Sequence, residues 1–73
     1  MSDLVITNNI RKLRFFADEM TQLELAEKTG SSRSTIIAVE AGKYTPPLEL
    51  AFRIADVFNV SIDDVFKRRN RGA

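Results

Sequence analysis

Few side chains in this sequence are suited to catalysis or to binding a metal ion. The chain contains no histidine and no cysteine, so it lacks the commonest general base and the commonest metal ligands. Ser31 and Ser32 therefore have no histidine to activate them. Asp63 and Asp64 are adjacent, so on a helix they diverge, and aspartates in a first helical turn ordinarily interact with the helix dipole. We expect a protein that is not an enzyme and that uses no cofactor and no metal ion.

The length and the charge of the chain set further limits. With 73 residues it should form one small domain that needs nearly all of its large apolar residues for the core. It has no apolar run of the roughly 18 residues that span a membrane and no signal-peptide pattern, so we expect a cytoplasmic protein. The net charge of +1 does not indicate a nucleic-acid partner. The basic residues are instead concentrated in residues 11–14 and 67–71.

The clearest local pattern lies in residues 21–42, TQLELAEKTGSSRSTIIAVEAG. Thr21 and Glu24 have the Thr-x-x-Glu spacing of a capping box, which can begin a helix. Gly30 can adopt the left-handed backbone of a tight turn between two helices. The serine pair that follows can cap a second helix, which ends at Gly42. This pattern predicts a helix-turn-helix unit, an arrangement whose second helix can be presented to the DNA major groove.

Apolar residues at helical spacing predict three further helices and an all-α fold. The first should begin at a cap on Thr7 or Asn8 and run to about Ala17; the fourth should begin at the proline pair 46–47. Ser61 with Asp64 forms a second capping box, which opens a fifth helix. The apolar residues expected to face the core, with Phe16 at its edge and Phe15 either covering a flank or exposed, are Ile10, Leu13, Ala17, Met20, Leu25, Ala26, Ile36, Val39, Leu48, Leu50, Ala51, Ile54, Ala55, Phe58, Ile62, Val65 and Phe66.

We divide the chain into an N-terminal arm (residues 1–7), a helical domain (residues 8–66) and a basic C-terminal tail (residues 67–73). The arm contains the apolar run LVI at residues 4–6, which favours an extended conformation. It should either fold onto the first helix or pair with its copy in a homodimer. The tail has no large apolar residue to bury, so it should be solvated or should follow a DNA backbone.

Taken together, these residues resemble the Cro/lambda-repressor-like (XRE) family of helix-turn-helix transcriptional regulators, in its short stand-alone form. The resemblance covers about residues 8–66. It is carried by residues that match the family in order, namely Thr21-Gln22, Leu25-Ala26-Glu27-Lys28, Gly30, Ser32-Arg33, Thr35-Ile36, Glu40, Gly42-Lys43-Tyr44, Pro46, Leu48-Glu49-Leu50-Ala51 and residues 60–66. It implies a five-helix lambda-repressor-like domain, with the helix-turn-helix at about residues 22–41. It also implies binding to double-stranded DNA, usually as a homodimer on a palindromic operator and for repression of transcription.

The resemblance further implies which side chains meet DNA. In such proteins the residue at Gln22 reaches a phosphate or the first base, and Lys43 with the backbone after Gly42 holds a phosphate. The exposed face of the third helix would read the bases, through Ser32, Arg33, Ser34, Ile37 and Ala38. Arg33 can donate two hydrogen bonds to guanine, and Ile37, four residues on, can contact a thymine methyl group unless it belongs to the core.

Relatives also pair an arginine on the first helix with the glutamate that ends the third, so Arg14 and Glu40 are expected to form a structural ion pair. Three residues depart from the pattern of the family, and one of them is Pro47, which takes the place of the usual serine cap before the fourth helix. Ser31 stands where relatives usually have valine, and Ser34 replaces a frequent glutamine that reads adenine. The alternative function is an antitoxin-like regulator, or a protein-interaction module, that retains the helix-turn-helix fold.

Overall fold

Five helices and two short strands make up residues 4–70, the part of the chain that the computed structural model describes. In chain order they are β1 (Leu4–Asn8), α1 (Ile10–Phe16), α2 (Gln22–Thr29), α3 (Arg33–Glu40), α4 (Leu48–Val57), α5 (Ile62–Val65) and β2 (Phe66–Asn70). The five expected helices are confirmed. No helix in this part of the chain is long and apolar enough to cross a membrane.

The prediction of an all-α fold was wrong in one respect, because the two ends of the described chain form a small sheet. β1 and β2 pair antiparallel, from Leu4 opposite Asn70 to Asn8 opposite Phe66. The N-terminal arm therefore pairs with the chain's own C-terminal segment. The lack of large apolar side chains in the tail does not prevent this pairing, because a strand pair satisfies backbone groups and needs little burial. Residues 1–3 and 71–73 of the predicted arm and tail lie outside the described residues.

The core lies where all five helices meet. Its fully enclosed members were all expected from the apolar spacing, and they are Ile10, Leu25, Ala26, Ile36, Val39, Ile54, Ala55 and Val65. Two of the expected apolar residues, Phe16 and Leu48, are instead largely exposed. Phe16 is the last residue of the short α1, and Leu48 is the first residue of α4, where side chains lean past the N-terminal end of the helix.

The signals for the ends of α2 and α5 are also confirmed. Thr21 Oγ1 accepts from the Glu24 amide at 3.0 Å, and Glu24 Oε1 accepts from the Thr21 amide at 2.8 Å. Gly30 ends α2 with φ +71°. In α5 the carboxylate of Asp64 accepts from the Ser61 amide at 3.2 Å. Caps at both ends, together with the burial of Leu25 and Ala26 in the core, stabilise α2 although it has only eight residues.

The start of α1 differs from the expectation by one residue. Asn9, rather than Thr7 or Asn8, occupies the N-cap position and makes no side-chain cap. Asn8, one residue earlier, supplies the side-chain cap: its Oδ1 accepts from the amide of Ile10 at 3.1 Å. α1 then leads into a loop in which Asp18 and Glu19 both have positive φ, a conformation that costs non-glycine residues about 1–2 kcal/mol each.

Candidate nucleic-acid interface

One face of α3 is buried and the opposite face is open to solvent. Ile36 and Val39 are almost fully enclosed in the core. Arg33 and Ser34 are exposed, and Ile37 keeps 38% of its surface accessible. Between the two adjacent isoleucines, therefore, only Ile36 is a core residue. The geometry makes Arg33, Ser34 and Ile37 available together to a partner that approaches α3.

The C-terminal end of α3 is tied to α1 by an ion pair. Arg14 donates from Nε to Glu40 Oε2 at 3.0 Å and from Nη2 to Oε1 at 2.7 Å. A third bond runs from Arg14 Nη1 to the carbonyl of Met20 at 2.9 Å. The two side chains are only 16% and 12% exposed. Because a bidentate pair fixes direction as well as distance, it sets the angle of α3 against α1.

Asn8 holds the same end of α3 from the side of the sheet. Its Nδ2 donates to the carbonyl oxygens of Val39 at 3.1 Å and of Glu40 at 3.3 Å. These carbonyls belong to the last turn of α3, whose oxygens have no partner within the helix. Asn8 therefore joins β1, the start of α1 and the end of α3 through a single side chain.

In the turn before α3, a hydrogen bond of Ser31 takes the place of the apolar contact expected of the valine in relatives. Thr29 is buried, and its Oγ1 donates to the carbonyl of Leu25 at 2.8 Å. Since a hydroxyl has one proton, the 2.9 Å contact between Thr29 Oγ1 and Ser31 Oγ has Ser31 as the donor. The serine that stands in place of valine is thus satisfied by a buried threonine, which explains how the turn accepts it.

A shallow cleft lies between α1 and the N-terminal ends of α2 and α3. It is lined by Arg11, Arg14, Thr21, Gln22, Leu23, Arg33 and Glu40. The charge of Arg14 is compensated by Glu40, whereas neither Arg11 nor Arg33 forms an ion pair within the described residues. The cleft therefore presents two positive charges beside the Gln22 side chain, an arrangement suited to a phosphate backbone.

Arg11 was not among the site residues expected from the sequence. A signal was nevertheless available, since Arg11 and Arg14 are three residues apart and so lie on one side of α1. Once Arg14 is paired with the end of α3, Arg11 must lie close to the exposed face of the same helix. Its exposed guanidinium borders the cleft with Gln22 and Arg33.

Three of the expected site residues remain, and parts of them are used within the fold itself: Ser32, Ala38 and Lys43. The hydroxyl of Ser32 accepts from the amide of Thr35 at 3.1 Å and so caps α3. Ala38 is half-buried. The amide of Lys43 donates to the carbonyl of Ala38 at 2.9 Å, in the bond that closes α3 beyond Gly42. That amide is therefore already used, and only the exposed ammonium group of Lys43 is free to approach a phosphate.

Comparison with protein families matches residues 10–65 to the helix-turn-helix family. The chain belongs to the XRE family of helix-turn-helix proteins. The match begins at α1 and ends at α5, so it contains every helix and leaves out both strands. The resemblance stated from the motif residues is therefore confirmed.

Relatives of this XRE-family protein are described as transcriptional regulators. An uncharacterized HTH-type transcriptional regulator of Methanocaldococcus jannaschii is 53% identical over 57 residues, which cover 75% of this chain and 86% of the relative. The uncharacterized HTH-type transcriptional regulator YgzD of Bacillus subtilis is 41% identical over 46 residues, covering 63% of this chain and 70% of YgzD.

A solved structure has the same fold. The crystal structure of a "putative DNA-binding protein" from Bacteroides fragilis superimposes with a TM-score of 0.73 at 26% identity, covering 85% of this chain and 98% of that protein. The proteins that this chain is similar to are thus described as HTH-type transcriptional regulators or as a DNA-binding protein.

Proposed function

We propose that this XRE-family protein is a sequence-specific transcriptional regulator that inserts α3 into the major groove of double-stranded DNA. The observation that supports this most directly is the position of Arg33, Ser34 and Ile37 on the open face of α3. Arg33 would donate two hydrogen bonds to a guanine, and Ile37 would contact a thymine methyl group. Ser34 would supply a less discriminating hydrogen bond.

The residues around α3 would fix its position on the DNA. In this proposal the phosphate contacts come from Gln22, Ser32, Lys43 and Arg11, of which Gln22 and Arg11 border the cleft beside Arg33. Ala38 lies toward the far end of the open face and would allow a close approach. A homodimer would place two such surfaces on a palindromic operator, and occupation of a promoter would repress transcription.

A selection of bound sites from random duplex DNA tests the proposal. We expect a palindrome whose half-sites are separated by about one helical turn. The selected site should then be titrated with salt in an electrophoretic shift assay, beside a shuffled duplex of the same composition. A regulator should prefer the selected site and should lose affinity steeply as salt rises. Absence of a shift with either duplex at low salt would contradict the proposal.

One observation favours a protein-interaction module as the second candidate. Leu48 and Phe52 lie one helical turn apart on α4, and they are 67% and 48% exposed. Neighbouring exposed apolar residues can mark a surface that binds another protein. As a protein-interaction module the chain would give no shift with either duplex, and Leu48→Ser with Phe52→Ser would abolish capture of a protein partner, whereas Arg33→Ala would leave that capture unchanged.

A further inference from the structure

β1 has one edge that the intramolecular sheet does not use. The amide of Asn9 donates to the carbonyl of Val65 at 2.8 Å, and this pair continues the register of the sheet. Hydrogen-bonded and non-hydrogen-bonded pairs alternate along an antiparallel ladder. Thr7 and Val5 therefore direct their backbone groups toward β2, and the backbone groups of Asn8, Ile6 and Leu4 point away from it.

The outward groups of β1 find no partner in the rest of the described chain. Among residues 4–70, no backbone hydrogen bond joins Ile6 to a residue outside the sheet. Ile6 is 43% exposed and borders a shallow depression with the apolar Ile62 and Phe66 and with three charged residues, Asp63, Lys67 and Arg68. A strand that offers both unpaired backbone groups and an exposed apolar side chain is a template for a further strand.

The charges of the two strands decide which edge can meet a copy of itself. β1 has the sequence LVITN and carries no charge, whereas β2 begins with Phe66, Lys67 and Arg68. Pairing of two β2 strands would bring like charges onto neighbouring strands, which is destabilising. Two β1 strands meet without this repulsion. The edge is also self-complementary, because an antiparallel two-fold pairing requires the same backbone groups on both sides.

We propose that a second copy of the chain pairs along this edge, β1 against β1, with the two-fold axis beside Ile6. The result is a four-stranded antiparallel sheet in the order β2, β1, β1 of the second copy and β2 of the second copy. An axis at Ile6 brings three outward residues of each strand into register, at positions 4, 6 and 8. An axis at Val5 or Thr7 would pair only two of them, so the Ile6 axis forms the most hydrogen bonds.

This interface rests on the proposed homodimer and explains how the dimer would orient its two α3 helices. Asn8 belongs to the paired strand and donates to the carbonyls of Val39 and Glu40 at the end of α3. The sheet would therefore connect the two α3 helices through one side chain on each copy. Joining β1 strands would fix the relative orientation of the two reading helices, as a palindromic operator requires.

A cysteine placed at the axis tests the register. The chain has no cysteine, so Ile6→Cys carries a single thiol. In a hydrogen-bonded antiparallel pair the two Cα atoms are about 5.5 Å apart, within the range of a disulfide. Thr7→Cys is the matched control, since its copy lies beyond the roughly 7 Å Cα limit for a disulfide. Mild oxidation should convert most of the Ile6→Cys protein, and little of the Thr7→Cys protein, to a covalent dimer; equal yields would overturn the proposed register.

A proline at the same position tests the edge itself. The amide of Ile6 points outward, so Ile6→Pro removes a bond to the second copy and leaves the bonds to β2 in place. We expect sedimentation to show one chain instead of two and circular dichroism to show an unchanged helix content, with Ile6→Val as a dimeric control. A dimer that persists in Ile6→Pro, or a monomeric wild type, would overturn the interface. A dimer that binds no DNA would support the interface and contradict the proposed function.

Discussion

Arg14 and Glu40 form a two-pronged ion pair between α1 and α3, with N–O distances of 2.7 and 3.0 Å. Both side chains are at least four-fifths enclosed. They hold the last residue of α3 in place, whereas the residues of that helix proposed to read DNA begin at Arg33. The ion pair thus fixes the C-terminal end of α3, and through the helix it also fixes the position of the N-terminal end.

The first prediction concerns the removal of one member of this pair. Arg14→Met leaves the Glu40 carboxylate enclosed without a cation, and we expect a loss of about 3 kcal/mol in the free energy of unfolding. Urea denaturation measures this loss. The double variant Arg14→Met with Glu40→Met should lose much less than the two single variants together, since no unpaired charge remains. A loss of only about 0.5 kcal/mol in Arg14→Met, as for exposed pairs, would contradict this account.

Local signals in the sequence predicted the helices well. The main feature that they did not predict is a non-local one, the sheet of β1 and β2. The capping box at Thr21, the turn at Gly30 and the apolar spacing of α4 each depend on residues within a few positions. The sheet depends on pairing between residues 4–8 and 66–70, the two ends of the described chain. Nothing in FKRRN shows the alternation that marks a strand, because its pairing with β1 rests on backbone hydrogen bonds, which any of these residue types can make.

The residues of the candidate site could likewise be predicted only where the local sequence decides their position. The exposure of Arg33 and Ser34 could be predicted from the helical spacing of α3, whereas the adjacent Ile36 and Ile37 leave open which of the two faces the core. The role of Asn8 could not be predicted, because its position relative to α3 depends on how β1 packs, and Arg11 could be placed only through the expected pairing of Arg14 with Glu40. For Phe16 the local pattern was misleading, since the residue fits the apolar spacing of α1 and is nevertheless exposed outside the core.

The second prediction separates the two hydrogen-bonding atoms of Asn8. Asn8→Asp keeps an acceptor for the Ile10 amide but places a carboxylate against the carbonyls of Val39 and Glu40, at the negative end of α3. We expect a loss of about 1–3 kcal/mol in the free energy of unfolding, and a similar loss of DNA affinity for all sequences. Thermal melts and shift assays measure the two effects.

The pH dependence of the same variant provides its control. Close carbonyl oxygens disfavour the charged carboxylate of Asn8→Asp, so its folded-state pKa should lie above its unfolded value. Protonation then restores a donor, and the deficit relative to wild type should shrink as the pH falls toward about 4. Asn8→Ala has no titrating group, so its deficit should not change in this way. A deficit of Asn8→Asp that grows as the pH falls, as expected of a carboxylate that only accepts from the Ile10 amide, would show that Asn8 only caps α1.

The third prediction follows from the capping box of α2. The hydrogen bond from the Thr21 backbone amide, followed by the one with the Thr21 side chain, lowers the pKa of Glu24 below its usual value of 4.5. The ionised carboxylate is therefore favoured in the folded state. Its contribution to stability is complete above pH 4.5 and is lost as the pH falls through the lowered pKa.

Glu24→Gln isolates this effect, since its amide oxygen can still accept from Thr21 but does not titrate. Wild type should have the higher Tm at about pH 6, and the difference should shrink by about pH 3. Thermal melts monitored by circular dichroism across this range measure it. A difference that stays constant with pH would mean that the charge of Glu24 does not contribute through the capping box.

The fourth prediction distinguishes base reading from charge attraction at Arg33. Arg33→Ala should weaken binding to the selected operator by about 1–3 kcal/mol and should relax the preference at one base pair. Arg33→Lys keeps the positive charge but loses the two-pronged geometry that matches guanine, so it should recover part of the affinity and little of the preference. Competition assays with operators altered at single positions measure both quantities.

Lys43→Ala provides the matched comparison for a phosphate contact. It removes an exposed charge at the other end of α3, so it should weaken binding to all duplexes alike and should lower the slope of log affinity against log salt by about one. If Arg33→Ala showed this same uniform loss, Arg33 would be a phosphate contact, and base reading would fall to Ser34 and Ile37. If Lys43→Ala changed the preference at one base pair, α3 would lie in the groove with its C-terminal end toward the bases.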